Sequence, residues 1–250
     1  MESWVRFNAQ SQSKEKAIRA AQYACMVLGY SLQWNRAASD FYKTISELEK
    51  HLSLTRKLLR LGNSVEALEA AKRSIHLSDG VLRLCLTISH LNRAMYFACD
   101  NVLWAGKTGV LSKLDQQKWS QRSFRYYLFS LIMNLTRDVY ELCLLVDHEN
   151  RSRRSKFSNT CLPADLSSSS PAALPLMTAW LQRHLRQVVT ILYNNPPLLL
   201  DLLKNSCDVF IPLDQLGIYR TGPGFVGTCG LVSSVLSILA VVHPWLKLKP

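Results

Sequence analysis

The chain has 250 residues, room for one large or two small units, and a net charge of +12 from 30 Lys and Arg against 18 Asp and Glu. Its basic residues are spread along the chain, usually beside acids, rather than gathered with aromatics on one face. This argues against nucleic-acid binding and for attraction to anionic lipid headgroups. The seven cysteines are scattered with no CxxC pair and no His/Cys cluster, so neither a disulfide framework nor a zinc site is expected.

The first segment, Trp4 to Leu32, reads as a helix with a weak apolar side of Ala17, Ile18, Ala21, Ala24, Cys25 and Leu28. It can pack on the rest of the domain or touch lipid. Its polar, mixed-charge opening, Met-Glu-Ser-Trp-Val-Arg, is not the pattern of a secretory leader.

The second segment is sharper. Ser39-Asp40 can cap a helix in which Phe41, Ile45, Leu48, Leu52, Thr55 and Leu59 recur at steps of four and three. Lys43, Lys50 and Lys57 fall nearly opposite that stripe. Such a helix can lie in a membrane surface or form one arm of a bundle, and the pattern alone allows both. Gly62-Asn63 ends it. Asn63 with Glu66 resembles a capping box, and the helix that follows places Leu68, Ala71 and Ile75 at inward spacing.

Val81 to Trp104 is long and apolar but carries Arg83, His90, Arg93 and Asp100. A charge at the bilayer centre costs ~2.5–3.5 kcal/mol even on the lenient insertion scale, so this segment is no simple lipid-exposed span. It either lies in the interface or crosses with its charged side against partner helices. Trp119 to Val146 has the same character, because its uncharged core between Arg125 and Arg137 is too short to cross. Residues 147–175 change to a basic run, four serines and several prolines, the composition of a flexible linker. Two helices follow, Leu176 to Tyr193 and Leu198 to Phe210, broken by Asn194-Asn195-Pro196-Pro197.

The last stretch, Phe225 to Leu246, contains no Asp, Glu, Lys or Arg. A helix of this length reaches ~33 Å, enough for a ~30 Å hydrocarbon core. Trp245 suits the headgroup level, and Lys247 and Lys249 follow. Gly227, Gly230, Ser234 and Ser237 form a small-residue stripe that lets another helix approach closely, so self-association is expected there.

Catalytic signatures are missing. Gly222-Pro-Gly224-Phe-Val-Gly227 matches GxGxxG, but no strand precedes it and no acid follows about twenty residues on to hold a ribose. No P-loop, HExxH or GxSxG occurs, and the six histidines stand isolated. No enzyme activity and no cofactor is expected.

Several blocks together resemble the peroxin-11 family of peroxisomal membrane proteins, most nearly its vertebrate beta type. They are Arg56-Lys-Leu-Leu-Arg-Leu-Gly-Asn63, His90 to Trp104, Asn195-Pro-Pro-Leu-Leu-Leu-Asp201, Pro212-Leu-Asp-Gln-Leu-Gly217 and Leu246-Lys-Leu-Lys-Pro250. The resemblance implies an all-α integral membrane protein of the peroxisome, both termini facing the cytosol, that bends and elongates the membrane before fission. It implies self-association, a fission adaptor and dynamin-type GTPase as partners, and an import receptor for peroxisomal membrane proteins. The family's membrane-inserting amphipathic helix would fall on Phe41–Leu61. The expected organisation is an amphipathic cytosolic region at 1–80, membrane-associated or spanning helices at 81–146, a linker at 147–175, a helical region at 176–221 and an anchor with a basic tail at 222–250. The alternative function is a pore or solute pathway lined by the charged residues of the apolar helices.

Overall fold

The computed structural model describes residues 2–33, 39–111, 113–158, 173–246 and 248. Among these, the chain forms eight α-helices and no strand, as expected of an all-α protein. They are α1 (Glu2–Leu32), α2 (Ser39–Leu59), α3 (Asn63–Ser74), α4 (Gly80–Lys107), α5 (Gln116–Ser158), α6 (Ala173–Asn194), α7 (Pro196–Gln215) and α8 (Pro223–Val242), followed by a 3-10 turn at Pro244–Leu246.

Six of the helices close a ring. α1 packs on α2 and α8, α8 on α7, α7 on α5, α5 on α4, and α4 returns to α2. α3 lies on the outside of α4, and α6 bridges α5 and α7. Local chemistry sets the boundaries. Gly62 takes a left-handed φ of 87° between α2 and α3, which a side chain would resist. The Asp79 carboxylate caps α4 by accepting from Val81 N–H at 2.8 Å and Leu82 N–H at 3.1 Å. Two prolines open α7, where the missing N–H is harmless.

Five sequence readings shift. Asn63 is not a side-chain cap for α3; Gly62 occupies that position without a side-chain bond, and Asn63 is buried within the helix. Leu68 and Ile75 point outward, because the small residues Ala67 and Ala71 bring α3 close against Ala94 and Phe97 of α4. α7 continues through Pro212 to Gln215, since the ring removes only one backbone donor and Pro212 is buried. α8 stops at Val242, before the end of the uncharged stretch, because Pro244 forces His243 out of helical geometry (φ −116°, ψ 86°). In the stretch read as a linker, residues 147–158 continue α5 and Ala173 already belongs to α6. The serine run Ser167–Ser170 lies outside the described residues.

Candidate functional site: a charged interior inside an apolar shell

The interior of the ring is polar. Glu15 of α1 accepts from Arg60 Nη2 at 2.6 Å, Arg60 Nε at 2.9 Å and Arg56 Nε at 3.1 Å. Arg60 Nη1 also donates to Tyr96 OH at 2.6 Å and Asp100 Oδ2 at 3.2 Å, and Lys57 Nζ stands 3.0 Å from Asp100 Oδ1. Arg56 donates to Gln22 at 2.5 Å, and Arg19 meets Asp208 of α7 at 2.5 Å. The Tyr23 ring lies under both Arg19 and Arg56, at 5.6 and 5.9 Å. Burial alone would raise the Glu15 carboxyl, but Arg60, Arg56 and Arg19 outweigh it and lower its pKa to about 2. A second group joins α5 to α7. Arg137 donates to Asp138 at 2.6 Å and Asp201 at 2.5 Å, and Asn205 donates to Asp138 at 2.7 Å. Asp201 also pairs with Lys204.

The exterior is the inverse. Leu84, Leu91 and Met95 of α4, Phe129, Ile132 and Val139 of α5, and Val232, Val235, Leu239 and Val242 of α8 are all exposed. Their spacings of three, four or seven place them in stripes on outward faces. In water such a shell is a liability, because monomers rarely expose so much contiguous apolar surface. Against lipid it is the expected outer face, with the charged groups paired among themselves inside.

α8 is the one helix among the described residues long and apolar enough to cross a membrane, with 20 residues and mean hydropathy 2.2. At ~1.5 Å per residue it reaches ~30 Å, the thickness of a hydrocarbon core. Its small-residue stripe faces α1 of the same chain. A Cβ at Gly230 would lie 2.5 Å from the Tyr23 ring, one at Gly227 3.0 Å from Val27, and one at Gly224 2.6 Å from Tyr30. Ser234 and Ser237 are buried along the same face, and Ser234 Oγ donates to Gly230 O at 2.6 Å. The matched order Tyr30–Gly224, Val27–Gly227, Tyr23–Gly230 makes α1 antiparallel to α8.

The predicted amphipathic residues of α2 divide between two surroundings. Phe41 (61% exposed) and Leu48 (48%) point outward, Ile45 is buried near Gly29 of α1, and Leu52 and Leu59 are half-buried. Lys43 and Lys50 are exposed, whereas Lys57 is turned into the interior toward Asp100. The contact face of α2 is thus rotated from the centre of its apolar stripe toward Arg56 and Arg60. Sequence reading noted the charges of α4 but not the network. The available signal was the i,i+4 pairing of Glu15 with Arg19 and of Arg56 with Arg60 on neighbouring helices.

Helices alone among the described residues, one of them long and apolar enough to cross a membrane, and an apolar exterior are the features of a membrane-associated class of protein. The model of the family Peroxisomal biogenesis factor 11 (PEX11) matches residues 1–242, and the chain belongs to that family of peroxisomal membrane proteins involved in peroxisome biogenesis. It is 57% identical to human Peroxisomal membrane protein 11B over the full length of both chains. Identity to human Peroxisomal membrane protein 11A is 40%, covering 100% of this chain and 99% of that one. To Peroxisomal membrane protein PMP30B of Candida boidinii it is 22%, covering 94% and 91%. No solved structure matches the chain.

Proposed function

We propose that this protein bends and elongates the peroxisomal membrane by setting the outer apolar residues of α2 into one leaflet. The observation that carries the reading is the exposure of Phe41 and Leu48 on a helix whose Lys43 and Lys50 are also exposed, Lys43 standing 3.5 Å from Asp40 on the same helix. The start of α2 lies level with the start of α8, because Tyr42 and Ile45 approach Gly29 while the adjacent Tyr30 meets Gly224. A shallow wedge there spreads headgroups on one side only, a source of curvature. Lying fully in the leaflet requires α2 to part from α1, and the Glu15 clamp opposes that step.

The antiparallel order of α1 and α8 supports both termini facing one side; with that side the cytosol, as proposed, the starts of α2 and α8 and the wedge between them lie toward the opposite face of the membrane. Self-association, a fission adaptor with its dynamin-type GTPase, and a membrane-protein import receptor complete the proposed partners. The small-residue stripe is filled by α1, so self-association through it requires α1 to move aside. A solute pathway is supported less, because the charged groups inside the ring pair with one another.

Full-length protein reconstituted into vesicles containing anionic lipid tests the reading. Tubulation is expected for the natural sequence and its loss for Leu48→Glu, since Leu48 is exposed and its replacement leaves the fold intact. Single-channel currents without tubulation would reverse the choice between remodelling and a pore.

A further inference from the structure

A groove opens where the turn between α7 and α8 passes over α5. It encloses about 230 Å³ and is lined by Leu128, Phe129, Ile132, Leu216 and Ile218, with Arg125 at its rim. Phe129, Ile132 and Ile218 are 47%, 46% and 66% exposed, so the apolar wall faces outward. Its level follows from the chain: Leu216 and Ile218 immediately precede Pro223, where the span-length helix begins. An apolar cleft at that depth meets the boundary between headgroups and acyl chains.

The charges around it have one sign. Arg125, Arg122 and Arg220 are exposed, and among the described residues no carboxylate lies within ion-pair distance of any of them. Asp214, the acid of this turn, instead accepts from Thr221 N–H at 3.1 Å. Arg122 stacks over Trp119 at 5.6 Å, and exposed Tyr219 adjoins Arg220, so aromatic and basic side chains gather at this end as they do at membrane–water interfaces. A guanidinium matches the oxygens of a phosphodiester, and a basic residue near an anionic surface is attracted to it.

We propose that this groove holds one anionic phospholipid, its phosphate on Arg125 and a segment of one acyl chain between Phe129, Ile132, Leu216 and Ile218. Such a lipid covers the apolar turn that leads into α8 and neutralises an arginine that has no carboxylate partner among the described residues. The site is separate from α2, and its test is independent of membrane bending.

The full-length protein is reconstituted with either a photoreactive phosphatidylserine or a photoreactive phosphatidylcholine, each carrying a diazirine in one acyl chain, and crosslinked peptides are mapped. The phosphatidylserine probe is expected to label residues 128–132 and 216–218 at least fivefold more than the phosphatidylcholine probe. Arg125→Gln removes that preference, Arg125→Lys restores part of it, and Ile218→Trp, which fills the groove from an exposed position, blocks labelling by both probes. Equal labelling by the two headgroups, a preference untouched by Arg125→Gln, or labels spread evenly over the outer faces of α4 and α8 would each overturn the proposal and leave only annular lipid. Helical content of each variant, read by circular dichroism in the same vesicles, is expected to match the parent.

Discussion

α2 and α8 are held to the same neighbour, α1, by opposite means. α8 is attached by shape: Gly224, Gly227 and Gly230 leave room for Tyr30, Val27 and Tyr23, and no charge takes part. α2 is attached largely by charge, through Arg56 and Arg60 on Glu15, with Ile45 as its one buried apolar residue among those described. The difference teaches that a steric attachment persists in lipid at any pH or salt, whereas an electrostatic one answers to both. The helix proposed to move is the one held by charge. The helix proposed to anchor is the one held by fit.

The largest effect expected from breaking this comparison is on the anchor. Truncation after Arg220 removes α8, and the remaining protein should pass from the membrane pellet to the supernatant on alkaline carbonate extraction. Retention in the pellet would mean that the apolar outer faces of α4 and α5 anchor the chain unaided.

Next comes the charged attachment. Glu15→Ala strips Arg56 and Arg60 of a shared buried partner; Arg60 keeps Asp100, but Arg56 is left with neutral Gln22, and an uncompensated buried charge costs about 3–5 kcal/mol. Protease cutting in α2 should rise and tubulation should increase rather than fall, because α2 is freed. The pH dependence has a definite sign. The pKa of Glu15 is lowered from 4.5 to about 2, so its contribution is fully present above pH 4.5 and is lost as pH falls through about 2. Circular dichroism and proteolysis of reconstituted protein between pH 5 and pH 2 should show α2 loosening before the α1–α8 contact, and Glu15→Ala should remove that pH dependence.

The steric attachment should respond less, and differently. Gly230→Leu drives a side chain into the Tyr23 ring, an overpacking of ~1–3 kcal/mol. Insertion of α8 should survive while α1 becomes more accessible to trypsin at Arg19, and pH should not modulate the effect. If crosslinked dimers increase in the same variant, the vacated stripe has taken up a second copy of the chain.

The smallest effect is expected from Lys50→Glu, which reverses one exposed charge on α2. Vesicle binding should weaken by about 1 kcal/mol for each unit of basic charge lost, and added salt should erase the difference from the parent. Helical content should stay unchanged, since Lys50 is exposed.

Periodicity and composition by themselves determined which segments are helical, that α8 is long and apolar enough to span, and that α2 carries a narrow apolar stripe. Those are local properties, set by the spacing of side chains and by Gly, Pro and capping residues within a few positions. The family, too, was legible in short blocks of sequence. Tertiary structure alone decided what each face meets. The stripe Gly227, Gly230, Ser234, Ser237 is equally able to receive a second copy or α1, and the matching positions of Tyr23, Val27 and Tyr30 are visible only once the helices lie side by side. Lys57 reads as a surface lysine from its place opposite Phe41 and Leu48, yet α4 brings Asp100 to it across 43 residues of sequence. The charged interior was hidden for the same reason. The pairs of Glu15 with Arg56 and Arg60, of Asp100 with Lys57 and Arg60, of Arg19 with Asp208 and of Arg137 with Asp201 join different helices, and no pattern along one helix shows which partner's charge will be waiting across the bundle.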